Sequence, residues 1–362
     1  FLLICGISAS ISIRSRAELS ALSVFSRVFF RVLRLFLLGI VVQGSIFHIA
    51  KEGPLLLLDL STVRIMGILQ RIAIVFLLVS IIELFIPARR TDLAGALLYE
   101  EQQGLGMWII WRTGARWLVM LGVVLAGELL SHLSPPSDWP GCAQSVYSSD
   151  AVDTQQLRDM GCSSVGWLDS LLLGVNHLYI KGNNLGPEAP ANFGFDPEGL
   201  VTTLNAVFPM FLGLHVGRAS MLLDIKSLLV HWILLGTFLS LLGLWVTAWI
   251  AFNKRLWSPS YSLFTTGTGI LMYALLFFLC DHVAERSAAS ISGKLGRFVT
   301  NILRPFQWLG SNCILFFVFS ECCGVLSWFL QTVTWDSKGS KGSKESLISW
   351  FHDKFLWHSC GL

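Results

Sequence analysis

Asp196 and Glu198 open the stretch FDPEGLVTTLNAVFPMFLGLHVGR, residues 195–218, two carboxylates directly ahead of a long apolar run. Acids placed this way suit binding an amine and accepting its proton. They equally suit a helix start, because acid, proline, acid matches N-cap, N1 and first turn at the positive end of the helix dipole. Capping accounts for Asp196 but not for what continues below. Glu198, Thr202, Asn205, Pro209 and Gly213 follow at offsets of 4, 7, 11 and 15, a single helical stripe. It is polar at its entry and small or kinked further in, a face for a bundle interior or a wet cavity rather than for lipid. His215, near the inner end of the run, is expected at an interface.

Other ionisable groups sit where apolar surroundings make them costly. In RIMGILQRIAIVFLLVS, residues 64–80, Arg64, Gly67 and Arg71 share one stripe, with Arg71 about 10 Å deeper than Arg64. Arg64 can snorkel at a rim. Arg71 has two readings, a structural ion pair or a fork for an anionic ligand group. In LGSNCILFFVFSECCGVLSW, residues 309–328, Asn312 stands at one end of a span, and Glu321 lies deep enough to need a partner, for which Arg71 is the candidate. NKRLWSPSYS, residues 253–262, supplies the hydroxyls of Ser258, Ser260 and Tyr261 beside Trp257, either as helix caps or as cavity lining. Arg64, Arg71, Asp196, Glu198, Asn205, Ser258, Ser260 and Glu321 all fall in the outer half of the expected bundle, and so many costly groups together predict one polar cavity.

The elements that must position these groups are membrane helices. Of 362 residues 54% are hydrophobic and only 14% charged, with mean hydropathy +0.65, against about a quarter charged in soluble domains. Apolar runs long enough to cross a bilayer predict an all-α polytopic bundle of about eight or nine spans. They are placed near 1–13, 29–47, 65–86, 114–131, 199–217, 228–252, 261–280 and 306–330, with a further one starting near 346. The expected organisation is helices over 1–131, one long extracytoplasmic loop over 132–198, and helices over 199–362. Arginines 14, 16, 27, 31, 34, 89, 90, 112 and 116 mark the cytoplasmic side, with the lysine-bearing linker at 337–344 as the exception. In the loop, Cys142 and Cys162 are either a disulfide, as expected outside the cytoplasm, or two free thiols. Basic residues are scattered with no aromatic platform among them, which argues against a nucleic-acid partner. Dispersed histidines and the lack of HExxH or CxxC spacing predict no metal.

RIMGILQRIA, the HLY and FDPEGLVTTLNAVFPMFLGLHVGR blocks, NKRLWSPSYSLFTTG and LGSNCILFFVFSE resemble, in order, successive motifs of the heparan-α-glucosaminide N-acetyltransferase family. GWLDSLLLGVNHLY, following a loop cysteine, is similar to that family's lumenal stretch. The resemblance covers almost the whole chain, and its DPEG and LQR blocks are the specific ones. It implies a multi-span enzyme that takes acetyl from cytosolic acetyl-CoA and passes it to the terminal glucosamine amine of heparan sulfate, or of a related amino sugar, on the lumenal side. It also implies a lysosomal or endomembrane location, or a plasma membrane in a microbe, with the bilayer as partner and a homodimer as the allowed self-association. The family's catalytic histidine lies upstream of the block that FLLICGISASIS resembles. The chain reads as a fragment and is expected to be inactive alone.

Under that resemblance Asp196 and Glu198 are the catalytic candidates. Arg71, Asn205 and Asn312 are candidates for acetyl-CoA, through its phosphates, its pantetheine arm or an oxyanion. This chain departs from the animal enzymes at Ser320, where they carry histidine, and in having no N-x-[ST] sequon. Two rival readings remain open: a transporter or channel lined by the polar stripe, and a catalytically silent membrane scaffold.

Overall fold

The computed structural model describes residues 1–14, 20–43, 63–86, 113–133, 163–181, 194–279, 304–305, 307–318, 334–336 and 344–346. They divide into two units, Phe1–His282 and Val283–Leu362.

In the first unit the apolar runs become helices in chain order: α1 (Leu2–Arg14), α2 (Ala21–Gln43), α3 (Ile68–Phe85), α4 (Gly114–Ser131), α5 (Ser164–Leu173), α6 (Leu200–Asn205), α7 (Val207–Ala219), α8 (Ile225–Val246) and α9 (Pro259–Phe277). Among the described residues, five helical stretches are long and apolar enough to cross a membrane: Ile68–Phe85, Gly114–Ser131, Leu200–Ala219, Ile225–Val246 and Pro259–Phe277. The molecule is a polytopic helical bundle. A two-residue antiparallel pairing, β1 (Ile180–Lys181) with β2 (Gly194–Phe195), is the strand structure among this unit's described residues.

Burial sets the order from core to lipid. Of the Leu200–Ala219 window 83% is buried, against 17% for Gly114–Ser131, so α6–α7 is the central helix and α4 is peripheral. Leu118, Leu121, Leu125 and Leu129 form an exposed stripe on α4, and Val230, Leu234, Phe238 and Leu241 one on α8, as expected of faces turned to lipid. Trp245 and Trp249, exposed with ring centroids 4.2 Å apart, suit an interfacial belt.

Small residues let the central helix meet its neighbours closely. A Cβ on Gly6 would collide with the Met210 carbonyl, and one on Gly213 with the Leu3 carbonyl, so α1 and α7 cross backbone to backbone. The break between α6 and α7 at Ala206 has a local cause. Pro209 has no N–H to give the Asn205 carbonyl, and its ring crowds that oxygen. At one end of the bundle, Glu83 of α3 accepts from Arg116 of α4 at 2.6 Å and from Arg218 of α7, tying three helix ends together.

His215, expected at an interface, is fully buried instead. Its Nε2 lies 3.0 Å from Nε2 of His231 on α8, and Trp117 stacks edge-on against it. The two imidazoles meet through one nitrogen each, a pairing that periodicity on one helix does not reveal, and His215 Nδ1 is buried without a hydrogen-bond partner.

In the second unit, residues 307–311 and 313–318 are helical, and β3 (Thr334–Asp336) pairs antiparallel with β4 (Lys344–Ser346).

Candidate active site

The site is built on the turn 195–199, which enters the central helix. The expected cap arrangement is not the one observed. The helix begins at Leu200 with Gly199 as N-cap, and Gly199 has no side chain to cap with. Asp196 instead closes an Asx turn, accepting from the Glu198 amide at 3.0 Å. The cap comes from another segment. Asp169 of α5, completely buried, accepts from the Leu200 amide at 2.9 Å. A Cβ on Gly199 would collide with the Asp169 carboxylate, so this turn requires glycine for space.

Asp196 is the hub. Its buried carboxylate accepts from Arg64 Nε at 3.0 Å and Arg64 Nη2 at 2.7 Å, and from the Tyr179 amide at 3.2 Å. This is a forked guanidinium–carboxylate pair with its remaining lone pairs filled. The same Arg64 Nη2 donates to Glu198 Oε2 at 2.6 Å. Glu198 keeps 21% of its side-chain surface exposed, while Asp196 keeps none. One acid is therefore locked, and the other is reachable.

The arginines differ in the same way. Arg64 lies over the Tyr179 ring, its Cζ 4.4 Å from the centroid. Arg71, buried, donates through Nη2 to the Pro197 carbonyl and to Thr202 Oγ1 at 2.6 Å, and its Cζ lies 4.9 Å from the centre of the Trp257 ring. Arg71 props the acid turn from below.

Burial works against the charge on Arg64, yet the hydrogen bond and charge of Asp196, with those of Glu198, more than offset it and raise its pKa. Burial likewise pushes the Asp196 carboxyl above its ordinary value, and the Arg64 hydrogen bond and charge limit the rise. Asp169 is pushed up to about 7, chiefly by burial, while the Leu200 amide hydrogen bond pulls it back. Its Oδ2 has no hydrogen-bond partner. A proton on Asp169 leaves two guanidiniums facing two carboxylates.

Asn205, one turn below Thr202, donates to Glu128 Oε2 of α4 at 3.5 Å, and its Oδ1 is buried without a partner. Ser258 and Ser260, expected as helix caps or as cavity lining, have their hydroxyls turned into the loop before α9, with Ser258 as the N-cap of that helix. Ser258 Oγ accepts from the amides of Asn253 at 3.0 Å and Tyr261 at 3.4 Å, and Ser260 Oγ donates to the Ala251 carbonyl at 3.1 Å. These bonds fix the loop that presents Trp257. Among the described residues Trp257 is the non-glycine residue with positive φ, 53°, and its indole Nε1 is buried without a hydrogen-bond partner. A bulky residue held in the left-handed region marks a place where surroundings override local preference.

Arg64, Arg71, Asp196, Glu198 and, one turn deeper, Asn205 are thus gathered at one end of the first unit. Asn312 lies in the second unit, where its Nδ2 donates to the Trp308 carbonyl at 3.1 Å. Glu321, Cys142 and Cys162 lie outside the described residues. Asp169, Tyr179 and Glu128 are members that sequence reasoning missed. For Asp169 a signal existed, since it is an acid inside the apolar run VGWLDSLLLG, but it stands in the connection rather than in a span.

Chemically, an accessible carboxylate backed by a locked acid and two arginines can take an amine and its proton. Among the described residues no three His, Cys, Asp or Glu are grouped to hold a metal.

No family model matches the chain. Two curated proteins are similar to it over most of its length. Heparan-alpha-glucosaminide N-acetyltransferase of Mus musculus is 24% identical over 368 residues, covering 99% of this chain and 51% of its own length. The Homo sapiens protein of the same name is 25% identical over 329 residues, covering 85% of this chain and 47% of its own. The chain spans about half the length of these relatives.

Proposed function

We propose that the protein to which this chain belongs is a transmembrane N-acetyltransferase, moving acetyl from acetyl-CoA to the amine of a terminal glucosamine of heparan sulfate or a related amino sugar. The observation that carries the reading is the pair of unequal acids, Glu198 reachable and Asp196 buried under Arg64.

In the proposed reaction the ammonium of the sugar docks against Glu198, which accepts one proton. The neutral nitrogen attacks the thioester carbonyl, the C–N bond forms, the C–S bond breaks, and the proton the nitrogen sheds on becoming an amide passes to the departing thiolate, which leaves as CoA. Asp196 and Arg64 position Glu198, and Arg71 positions the turn through the Pro197 carbonyl. That engagement of Arg71 favours a supporting role over the phosphate clamp expected from sequence. Asn205, with its unpartnered Oδ1, is assigned to a pantetheine amide of acetyl-CoA. The acceptor arrives from the lumenal or extracytoplasmic side, and the compartment is lysosomal or endomembrane, or the plasma membrane in a microbe.

The test is transfer of labelled acetyl from acetyl-CoA to glucosamine by the full-length protein in membranes. Glu198→Gln is expected to lower the rate by roughly 10²-fold or more, the usual weight of a positioned base. Absence of transfer by the intact protein, or an undiminished rate in the variant, overturns the assignment.

A further inference from the structure

Tyr179 is the feature of this site that the proposed chemistry does not use. It follows Leu178, which is buried to 2% exposure, yet 58% of Tyr179 is exposed. An aromatic left that open is ordinary on a flexible surface, but this one is held on several sides. Its amide donates to Asp196 Oδ2 at 3.2 Å. Two residues earlier, His177 Nδ1 donates to the Val63 carbonyl at 2.7 Å, and the Ile65 amide donates to the His177 carbonyl at 3.3 Å. The segment carrying the ring is therefore stitched to the segment carrying Arg64. Arg64 in turn lies over the ring at 4.4 Å and grips Glu198 at 2.6 Å. Ring and reachable carboxylate are both immediate neighbours of one guanidinium.

We propose that Tyr179 is the platform for the acceptor's pyranose ring, so that this site selects a cyclic amino sugar over an acyclic amine of the same charge. A pyranose carries a face of C–H bonds whose partial positive charge suits the negative face of an aromatic ring. The ring costs little ordering on binding because its backbone is already fixed, and preorganisation of this kind favours affinity. Glu198 alone recognises an amine. A carboxylate beside an aromatic face recognises an amine on a sugar.

The inference rests on the proposed acetyl transfer, so its experiment carries two readouts on the full-length protein. In the first, steady-state transfer is compared for glucosamine and for ethanolamine, in the wild type, Tyr179→Leu and Tyr179→Trp. Tyr179→Leu keeps an apolar side chain but loses the π face. It is expected to raise KM for glucosamine by about 10-fold, with a smaller change in kcat and none in the KM for acetyl-CoA, and to erase the preference over ethanolamine. Tyr179→Trp is expected to restore KM toward the wild-type value. An unchanged glucosamine KM in Tyr179→Leu, or a preference over ethanolamine that survives it, overturns the platform. The second readout, saturation transfer from detergent-solubilised protein to a methyl glucosaminide, needs no catalysis. Sugar signals present in the wild type and lost in Tyr179→Leu support the platform even if no acetyl transfer is found, which separates failure of the platform from failure of the enzymatic reading. Equal signals in both proteins overturn it.

Discussion

At the scale of single residues, the acids of the site divide their work by burial. Glu198 is accessible, Asp196 is saturated with donors, and Asp169 is buried with one oxygen bonded to the Leu200 amide and the other without a partner. Against the desolvation of an ionised Asp169 stand the Leu200 and Val201 amides and the more distant charge of Arg71, while Asp196 opposes it. The remaining titratable groups on or beside the elements packed against α5 are Arg116 and Glu128 of α4, His132 directly after it, and His177. With a folded pKa near 7 against 3.8 for the free side chain, the folded protein binds more protons than the unfolded chain between those values. The contribution of Asp169 is therefore fully present below about 4 and is lost as pH rises through about 7. Thermal melting in detergent is expected to give a higher Tm at pH 5 than at pH 8. Asp169→Asn, which keeps an acceptor for the Leu200 amide and removes the charge, is expected to flatten that slope and to exceed the wild type at pH 8. A slope unaltered by the substitution contradicts this account.

At the scale of elements, the central helix is broken where the site needs it. Pro209 interrupts the hydrogen bond to the Asn205 carbonyl, α6 becomes a separate short helix, and Asn205 ends it beside Glu128 of α4. Pro209→Ala restores a donor and is expected to straighten α6 onto α7. Because removing proline from a helix interior relieves about 3 kcal/mol of unfavourable propensity, Tm is expected to hold or rise. Acetyl transfer is expected to fall about 10-fold as Thr202 and Asn205 rotate away from Arg71 and Glu128. Parallel measurement of Tm and transfer rate checks this, and an unchanged rate refutes the link between the break and the site. Much of the element scale was readable in advance. The expected spans near 65–86, 114–131 and 199–217 coincide with α3, α4 and α6–α7, because hydropathy and helical length are local quantities. The helix start at Leu200 was not readable, since the group that caps it belongs to α5, thirty-one residues back.

At the scale of the first unit, the bundle is held at two ends by different chemistry. One end has the acid turn, and the other has Glu83 between Arg116 and Arg218. Glu83 is 14% exposed in its side chain and joins α3, α4 and α7. Glu83→Ala breaks a partly buried ion network and is expected to cost about 3 kcal/mol of stability. Since the acid turn is at the far end, transfer per folded molecule is expected to stay near the wild-type value. A Tm equal to the wild type refutes the clamp.

Composition and period alone determined that this chain is a membrane bundle, and pointed to one polar cavity holding Arg64, Arg71, Asp196, Glu198, Asn205, Ser258, Ser260 and Glu321. The cost of a charge in an apolar run and the 3.6-residue repeat are both written in one dimension. Only the tertiary structure decided what each does. Arg64 meets Asp196 across 132 residues, Arg71 meets Thr202 across 131, and Ser258 and Ser260 turn to their own loop. A carboxylate becomes a reachable base or a locked support according to its exposure and its partners, and both are set by chain segments far apart in sequence. FDPEG names two acids, and the fold makes them unequal.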